Sequence, residues 1–478
     1  MSSDRLTGLD TSFLHLERDG AHMHVAGTMI FDGPAPDFEE FKAHLGSRLH
    51  LVPRFRQKLR FVPLGQGRPV WVDDPHLNLD YHVRHTALPA PGDEEQLRTF
   101  AARVFSQGLD RSKPLWEMWV VDGLSGDRFA IVSKSHHCLV DGVSGVDITT
   151  VLFDAEADPA PADDPPEWIP RPEPSSLQIL SSAMTERVTV PAEVIRGAKA
   201  LIRRPLQALG AVRGAIGATG SIAGKGLSAP DSPLNVDIGP HRRFAWVRAD
   251  LGDLRRIKDV YGGTVNDVVL TVVSGALGRH LRMLGHDTDE LELKAMVPVS
   301  IRSDEQRGDL GNQVTAMMAP LPVWCEDPIE RLGLVRRAMG NLKQSKQAVG
   351  ANLIAEMTDF APPTIVSQAA RLQSRQRFFN LVVTNVPGPQ FPLFVLGRRL
   401  RDIFPMVPLA KRQAVCVGIM SYDGGINFGL IGDYEAIPSL GALAADLNDE
   451  LENLAALAPT VTGNGSAPKE RARSAAGS

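Results

Sequence analysis

Cysteine is scarce: the 478 residues contain three, Cys138, Cys325 and Cys416, and none stands at CxxC spacing. That argues against both a disulfide framework and a cysteine zinc site, and it suits a reducing compartment. A long apolar run is also missing. No stretch of about 18 apolar residues occurs, so no bilayer-spanning helix is expected. The amino terminus, MSSDRLTGLDTSFLHLERDG, is polar where a signal peptide needs an apolar core, so a cytoplasmic protein is expected. Charge of one sign is not in excess. Lys+Arg 51 against Asp+Glu 56 gives a net charge of −5, which offers no general attraction for nucleic acid. Finally, no GxSxG elbow supplies a serine nucleophile, and no short-period repeat implies a solenoid.

What is present is an apolar fraction of 43%, ample for folding, in a chain too long for one ordinary core. Two domains of roughly 200 residues are the natural expectation. Phe38, Phe41, Leu45 and Leu49 fall on one helical face, and Pro53 ends that pattern. FAIVSKSHH (129–137) has the content of a strand, and GVSGVDITTVLFD after it has helical spacing. Residues 155–176, AEADPAPADDPPEWIPRPEPSS, are proline-rich and acidic and read as a linker. Strand-like LKAMVPVSI (293–301) and FFNLVVTNV (378–386) belong to a second half. The expected division is 1–154, a linker over 155–240, a second half over 241–457, and a disordered tail over 458–478.

The stretch SKSHHCLVDG, residues 133–142, holds the densest chemistry. Alternation along a strand puts Ser133, Ser135 and His137 on one face and Lys134 and His136 on the other. The two histidines therefore diverge, which disfavours a shared metal, and none is expected. His137, beside small polar residues, suits a channel wall and is the candidate general base, with an imidazole whose ordinary pKa lies near neutrality. His136 points towards packing or a buried hydrogen bond, in support. Asp141 could orient the base or face outward to an arginine, and the structural role is favoured; Gly142 lets the backbone bend. His22 and His24, in HMHV, read as an edge or half-buried strand without a direct catalytic role. Pro114, Leu115 and Trp116 read as a turn whose Trp packs into the core.

HHxxxDG, here His136, His137, Asp141 and Gly142, resembles the signature of the CoA-dependent acyltransferase superfamily. LTGLDTSFLHLE, VPRFRQKL (52–59), KPLWEMWVVDGL (113–124), GGTVNDVVL (262–270), VPVSIR (297–302), LGNQV (310–314) and TNVPGP (384–389) narrow it further. Together, over about residues 5–456, they resemble the bacterial wax ester synthase/acyl-CoA:diacylglycerol acyltransferase family. The resemblance implies an α/β fold of two chloramphenicol-acetyltransferase-like halves, each a mixed sheet with helices, around a central tunnel. His137 would deprotonate the acceptor hydroxyl, which attacks the thioester directly, leaving Cys138 no nucleophilic role. Asp141 would pair with Arg302. Asn266, with Asp267, in the NDV stretch would be an oxyanion candidate or a helix cap, and Ser135, Asn385, Pro387 and Gly388 would position substrate at the seam.

The resemblance also implies an enzyme that moves a long-chain acyl group from acyl-CoA to diacylglycerol or a fatty alcohol, with acyl-CoA as co-substrate and no cofactor. The alternative is an enzyme of the same fold acting on a polyketide or peptide acceptor. Residues 194–216, VIRGAKALIRRPLQALGAVRGAI, carry five basic residues and no acidic one. A helix there would set an apolar stripe opposite Arg196, Lys199 and Arg203, which suits peripheral attachment to a membrane or lipid droplet. A helix packed between the halves is the other reading, and Pro205 would kink it.

Overall fold

The computed structural model describes residues 4–17, 20–139, 152–160, 164–185, 229–300, 314–344 and 378–459. Two six-stranded mixed sheets organise them. The first contains β1 (His24–Asp32), β4 (Val83–Ala87), β5 (Trp116–Leu124), β6 (Arg128–His136), β11 (Phe394–Val395) and β12 (Arg398–Met406), in the order β11-β12-β1-β6-β5-β4. The second contains β7 (Arg242–Asp250), β8 (Glu292–Ser300), β9 (Val314–Pro322), β10 (Leu381–Pro387), β13 (Val415–Tyr422) and β14 (Gly425–Asp433), in the order β7-β14-β13-β10-β8-β9. A small ribbon pairs β2 (Gln57–Arg60) with β3 (Val70–Asp73). One parallel pair, β4 with β5, makes the first sheet mixed, and β10 runs parallel to both β8 and β13 in the second.

The helices follow from capping and from one apolar face each. In the first half, α1 (Gly8–Leu16) starts at Thr7, whose side chain accepts from the Asp10 N–H, and α2 (Phe38–Arg48) starts at Asp37 and buries Phe41 and Leu45. α3 (Leu79–His82) is one turn. α4 (Glu94–Ser106) opens on an Asp93–Gln96 capping box and buries Leu97, Phe100, Ala101, Val104 and Phe105. Each large apolar side chain so buried stabilises the fold by roughly 1.5–3 kcal/mol. In the second half, α5 (Leu251–Tyr261), α6 (Val265–Met283), α7 (Pro328–Gln344) and α8 (Leu440–Leu457) cover the other sheet. α6 is buried on nearly every side, as its run of valines and small residues demands. No single helix among the described residues is long and apolar enough to cross a membrane; α5 and α6 pass that test only as a pair bent by 100°, and α6 lies inside the core.

The halves are not separable at one point in the chain. β12, from the second half of the sequence, pairs antiparallel with β1, register Ala26 to Met406 through Phe31 to Leu400. Its Phe404 and Met406 join α4 residues and Phe244, Trp246 and Ile431 of the second sheet in one core. Gly429 permits the crossing, since a Cβ there would lie 1.9 Å from the Pro405 carbonyl oxygen. β1 is consequently an interior strand of its sheet and not an edge; HMHV at its start is half-buried, with Met23 and His24 inside and His22 and Val25 partly exposed. The described residues of the acidic, proline-rich stretch form no helix or strand before residue 176, yet they are tethered: Arg171 binds Asp73, and Trp168 lies under Arg56. The segment 194–216, the tail beyond 459 and most of the expected helix after residue 142 lie outside the described residues.

Candidate active site

β1 and β6 place the site. Their antiparallel register sets His24 opposite His136, and Trp116 of β5 lies opposite Ser135 on the other side. Lys134, fully buried, is held by Glu117 at 2.6 Å and by the carbonyls of Val104 and Gln107, so α4 and β5 together anchor the end of β6. The strand stops at His136. The Leu139 N–H donates to the His136 carbonyl, which closes a turn, while the His137 N–H still donates across to the Met23 carbonyl just ahead of β1.

This alters one sequence inference. His137 does not continue the Ser133–Ser135 face by strand alternation, because the pleat ends one residue earlier. The turn carries its ring onto Phe13 of α1, centroids 4.0 Å apart and nearly parallel. Both histidines nevertheless meet α1 and its C-cap, His137 on Phe13 and His136 on Glu17. Burial lowers the pKa of His137 to about 4, with a smaller push in the same direction from His136. The imidazole is therefore neutral at physiological pH. Its Nδ1 is buried and has no hydrogen-bond partner among the described residues.

Glu17, which the sequence offered only as part of a family stretch, is the hub beneath. It follows Phe13 by four residues, so α1 and its C-cap present Phe13 to His137 and the carboxylate to His136. Glu17 Oε2 lies 3.0 Å from His136 Nε2 and 2.6 Å from Arg111; Oε1 lies 3.0 Å from His22 Nδ1 and 3.5 Å from His24 Nε2. Burial alone would raise this carboxyl, but the bonds from His136, His22, His24 and Arg111 outweigh it and hold the pKa well below the usual carboxylate range. Because the Cys138 N–H donates to His136 Nδ1, that nitrogen accepts and Nε2 carries the proton given to Glu17. His24, buried against both, has its pKa lowered to about 4 by desolvation. Glu17, His22 and His24 bring one ligand atom each within 4.8 Å, the spacing of a three-donor metal set. Arg111 already neutralises the same carboxylate. Cys138 is buried, and desolvation raises its thiol pKa well above the ordinary value, which suits a packing thiol rather than a nucleophile.

The remaining residues named from sequence fall elsewhere in the scaffold. Asp141, Gly142 and Arg302 lie outside the described residues. Ser135 is buried within β6. The cap of α6 is Thr264, not Asn266: Thr264 and Asp267 exchange side-chain and backbone bonds in a capping box, and Asn266 is the second residue of the helix. Asp267 is therefore occupied by the helix start. Asn385, partly buried, sits opposite Ile419 on β10, and Pro387 is exposed at the strand end. Gly388 donates to the Ser421 carbonyl, and a Cβ there would come within 2.3 Å of that oxygen, so only glycine permits the approach. Tyr422, next in β13, packs in the first half's core and bonds Leu393 and Leu400, which makes this corner part of the seam. Trp116 is buried, donates to the Phe55 carbonyl and stacks on His82.

Solved structures share this architecture. The wax ester synthase/diacylglycerol acyltransferase from Marinobacter aquaeolei VT8 superposes with a TM-score of 0.66 at 28% identity, over 95% of this chain and 99% of that one. The starter condensation domain of rhizomide synthetase gives 0.55 at 13% identity, over 95% and 94%, a likeness of fold alone. The class is thus the two-half, chloramphenicol-acetyltransferase-like α/β fold. In sequence, residues 6–269 match the wax ester synthase/diacylglycerol acyltransferase catalytic domain and residues 310–455 the WS/DGAT C-terminal domain. Among curated relatives, a Mycobacterium tuberculosis protein named probable diacylglycerol O-acyltransferase tgs1 is 34% identical over 464 residues, 95% of this chain and 96% of that protein. The tgs2 protein of the same species, likewise named probable, is 32% identical over 451 residues, 93% and 97%. The chain belongs to the wax ester synthase/diacylglycerol acyltransferase family, and it is an acyltransferase.

Proposed function

We propose that the enzyme transfers a long-chain acyl group from acyl-CoA to the hydroxyl of diacylglycerol or of a long-chain fatty alcohol, with His137 as general base. The observation that carries the reading is the neutral, desolvated His137 imidazole, clamped between Phe13 and a turn whose other histidine is committed to Glu17. His137 takes the hydroxyl proton as the oxygen attacks the thioester carbonyl. The tetrahedral intermediate collapses, the carbon–sulfur bond breaks, and the thiolate recovers the proton as CoA–SH. No acyl-enzyme and no cofactor enter this sequence. Asp141 paired with Arg302 would hold the turn beyond Leu139, and Asn266 or the Asn385–Gly388 corner would face the developing oxyanion across a tunnel between the halves.

Thiol release from palmitoyl-CoA with diacylglycerol, with hexadecanol and without acceptor tests the reading. Release that depends on one of the two alcohols supports it. Release only with an amine or a polyketide hydroxyl would overturn it in favour of condensation-type chemistry. For substrates this insoluble the same proposal includes peripheral attachment through residues 194–216: the protein should pellet with anionic vesicles at low salt, and replacing the five basic residues of that segment by Gln should release it. Equal pelleting of both would remove the segment from the reading.

A further inference from the structure

A cleft of about 1030 Å³ opens between α4 of the first half and β7 and α8 of the second. That is the upper end of the range for sites that take a whole small molecule. Its walls carry five arginines against two glutamates. Arg248 is held by Glu94 and Asp402, and the buried Arg242 by Asp433 and backbone carbonyls. Arg98 pairs with Glu95 at the rim while lying over Trp246. Arg103 and Arg243 are different. Neither has a carboxylate partner among the described residues: Arg103 lies over Phe100, and Arg243 lies 3.9 Å from the centroid of the exposed Tyr434 ring and donates to its backbone carbonyl. Two guanidinium groups whose charge no carboxylate neutralises, beside an exposed aromatic ring, suit phosphate next to a flat, unsaturated base.

Part of the cleft's lining leads to the histidine cluster. Ser106 and Gln107 line it, and the next residue, Gly108, packs against the His22 ring, where an added Cβ would stand 3.2 Å from it. Ser106 accepts from the Arg242 N–H, and the Arg242 guanidinium donates to the Gly20 carbonyl. His22 is bonded to Glu17, and Glu17 to His136 beside His137. The lining of the cleft is thus joined to the histidine cluster by direct contacts through Ser106, Arg242 and His22.

We propose that this cleft holds the phosphorylated nucleotide head of the CoA donor, with Arg103 and Arg243 contacting phosphate and Tyr434 flanking the base. The proposal rests on acyl-CoA as the donor. A phospholipid headgroup offers the same phosphate chemistry, but a cleft with an aromatic wall, its lining joined by contacts to the histidine cluster, suits a soluble nucleotide better than a bilayer surface.

The test uses the full chain and the double variant Arg103→Glu/Arg243→Glu. Adenosine 3′,5′-bisphosphate, titrated calorimetrically, should bind the parent and bind the variant at least about tenfold more weakly, given charge-assisted contacts to each phosphate. KM for palmitoyl-CoA should rise by a similar factor with the acceptor KM little moved. The advantage of palmitoyl-CoA over palmitoyl-pantetheine, which lacks the nucleotide, should collapse. Unchanged bisphosphate affinity and donor KM in the variant would overturn the proposal. So would a variant that loses binding to phosphatidylglycerol vesicles while keeping its bisphosphate affinity, which would make the cleft a lipid contact. If the parent releases no thiol from palmitoyl-CoA with any acceptor, the donor reading fails by itself, separately from the cleft, which the calorimetry still probes. Should the double variant melt early, Arg103→Gln, at an exposed position, gives the same comparison.

Discussion

Replacing Glu17 by Gln keeps the shape of the hub and removes its charge. The side chain is 11% exposed and meets four cationic or imidazole groups, of which Arg111 is itself 39% exposed and can turn to water, whereas His24 and His136 are 1% exposed and cannot. The amide would present an N–H₂ group to one of two donor pairs that now share a carboxylate. A charge-assisted bond contributes roughly 1.5–3 kcal/mol, and one acceptor oxygen survives, so a loss of about 2–4 kcal/mol in stability is expected. The kinetic effect follows from position. His136 precedes His137, and a displacement of about 1 Å at a catalytic group costs on the order of 10²-fold in rate. Glu17→Gln should therefore lower kcat by between one and two orders of magnitude in the thiol-release assay, with the donor KM nearly constant, and Glu17→Asp should recover part of it. A Glu17→Gln enzyme that melts early but turns over at the parent rate would show that the hub serves the fold alone and does not position the base.

His137→Ala should melt close to the parent and lose about 10²- to 10⁴-fold in kcat, the range for removing a general base, and activity within tenfold of the parent would refute the assignment. Stability should fall in mild acid. His24 and His137 have folded pKa values lowered to about 4 from 6.5, so the unfolded chain binds more protons between those values, and each should withdraw roughly 3 kcal/mol as pH drops through that window at 1.36 kcal/mol per unit. A melting temperature flat from pH 7 to pH 4 would contradict both; Glu17, with its pKa depressed, adds a further loss below about pH 4.5, which a scan continued to pH 3 would read. Arg331 and Glu450, a buried pair between α7 and α8, should cost about 3–5 kcal/mol if Arg331 alone becomes Ala, and less if both become apolar residues of similar volume, as denaturant unfolding can read.

Much of this was legible locally. The α2 stripe of Phe41 and Leu45, the β6 and β10 strands and the lack of helix and strand in the described part of the acidic stretch each follow from periodicity or proline content within about ten residues. Glu17 was not, because its meaning lies in contacts that span the chain: 119 residues separate it from His136. The signal available was an acidic residue just past a short helix, followed at five and seven residues by His22 and His24, and that pattern acquires sense only once β1 lies beside β6. The end of β6 was missed for a related reason. Alternation predicts faces while a strand continues, and nothing in SKSHHC announces that the Leu139 N–H will return to the His136 carbonyl and turn the chain.

The crossover strand explains why the two halves and the site depend on one another. β12 is recognisable as a strand from its residues, RRLRDIFPM, but its sheet is a topological fact, set by which edge of β1 is open. Its insertion beside β1 fixes the strand that carries His24 at one end and, through Phe404 stacked on Trp246 at 4.5 Å, ties that sheet to the wall of the basic cleft. Donor cleft and histidine cluster are thus braced by the same strand pair. Weakening β12 at Phe404 should then degrade both together, since among the described residues β12 is the strand that pairs with β1 on that edge. Truncation to Ala leaves a cavity costing about 3–5 kcal/mol. If Phe404→Ala lowered stability by that amount while bisphosphate affinity and kcat both stayed at parent values, the coupling argued from the shared strand would be wrong.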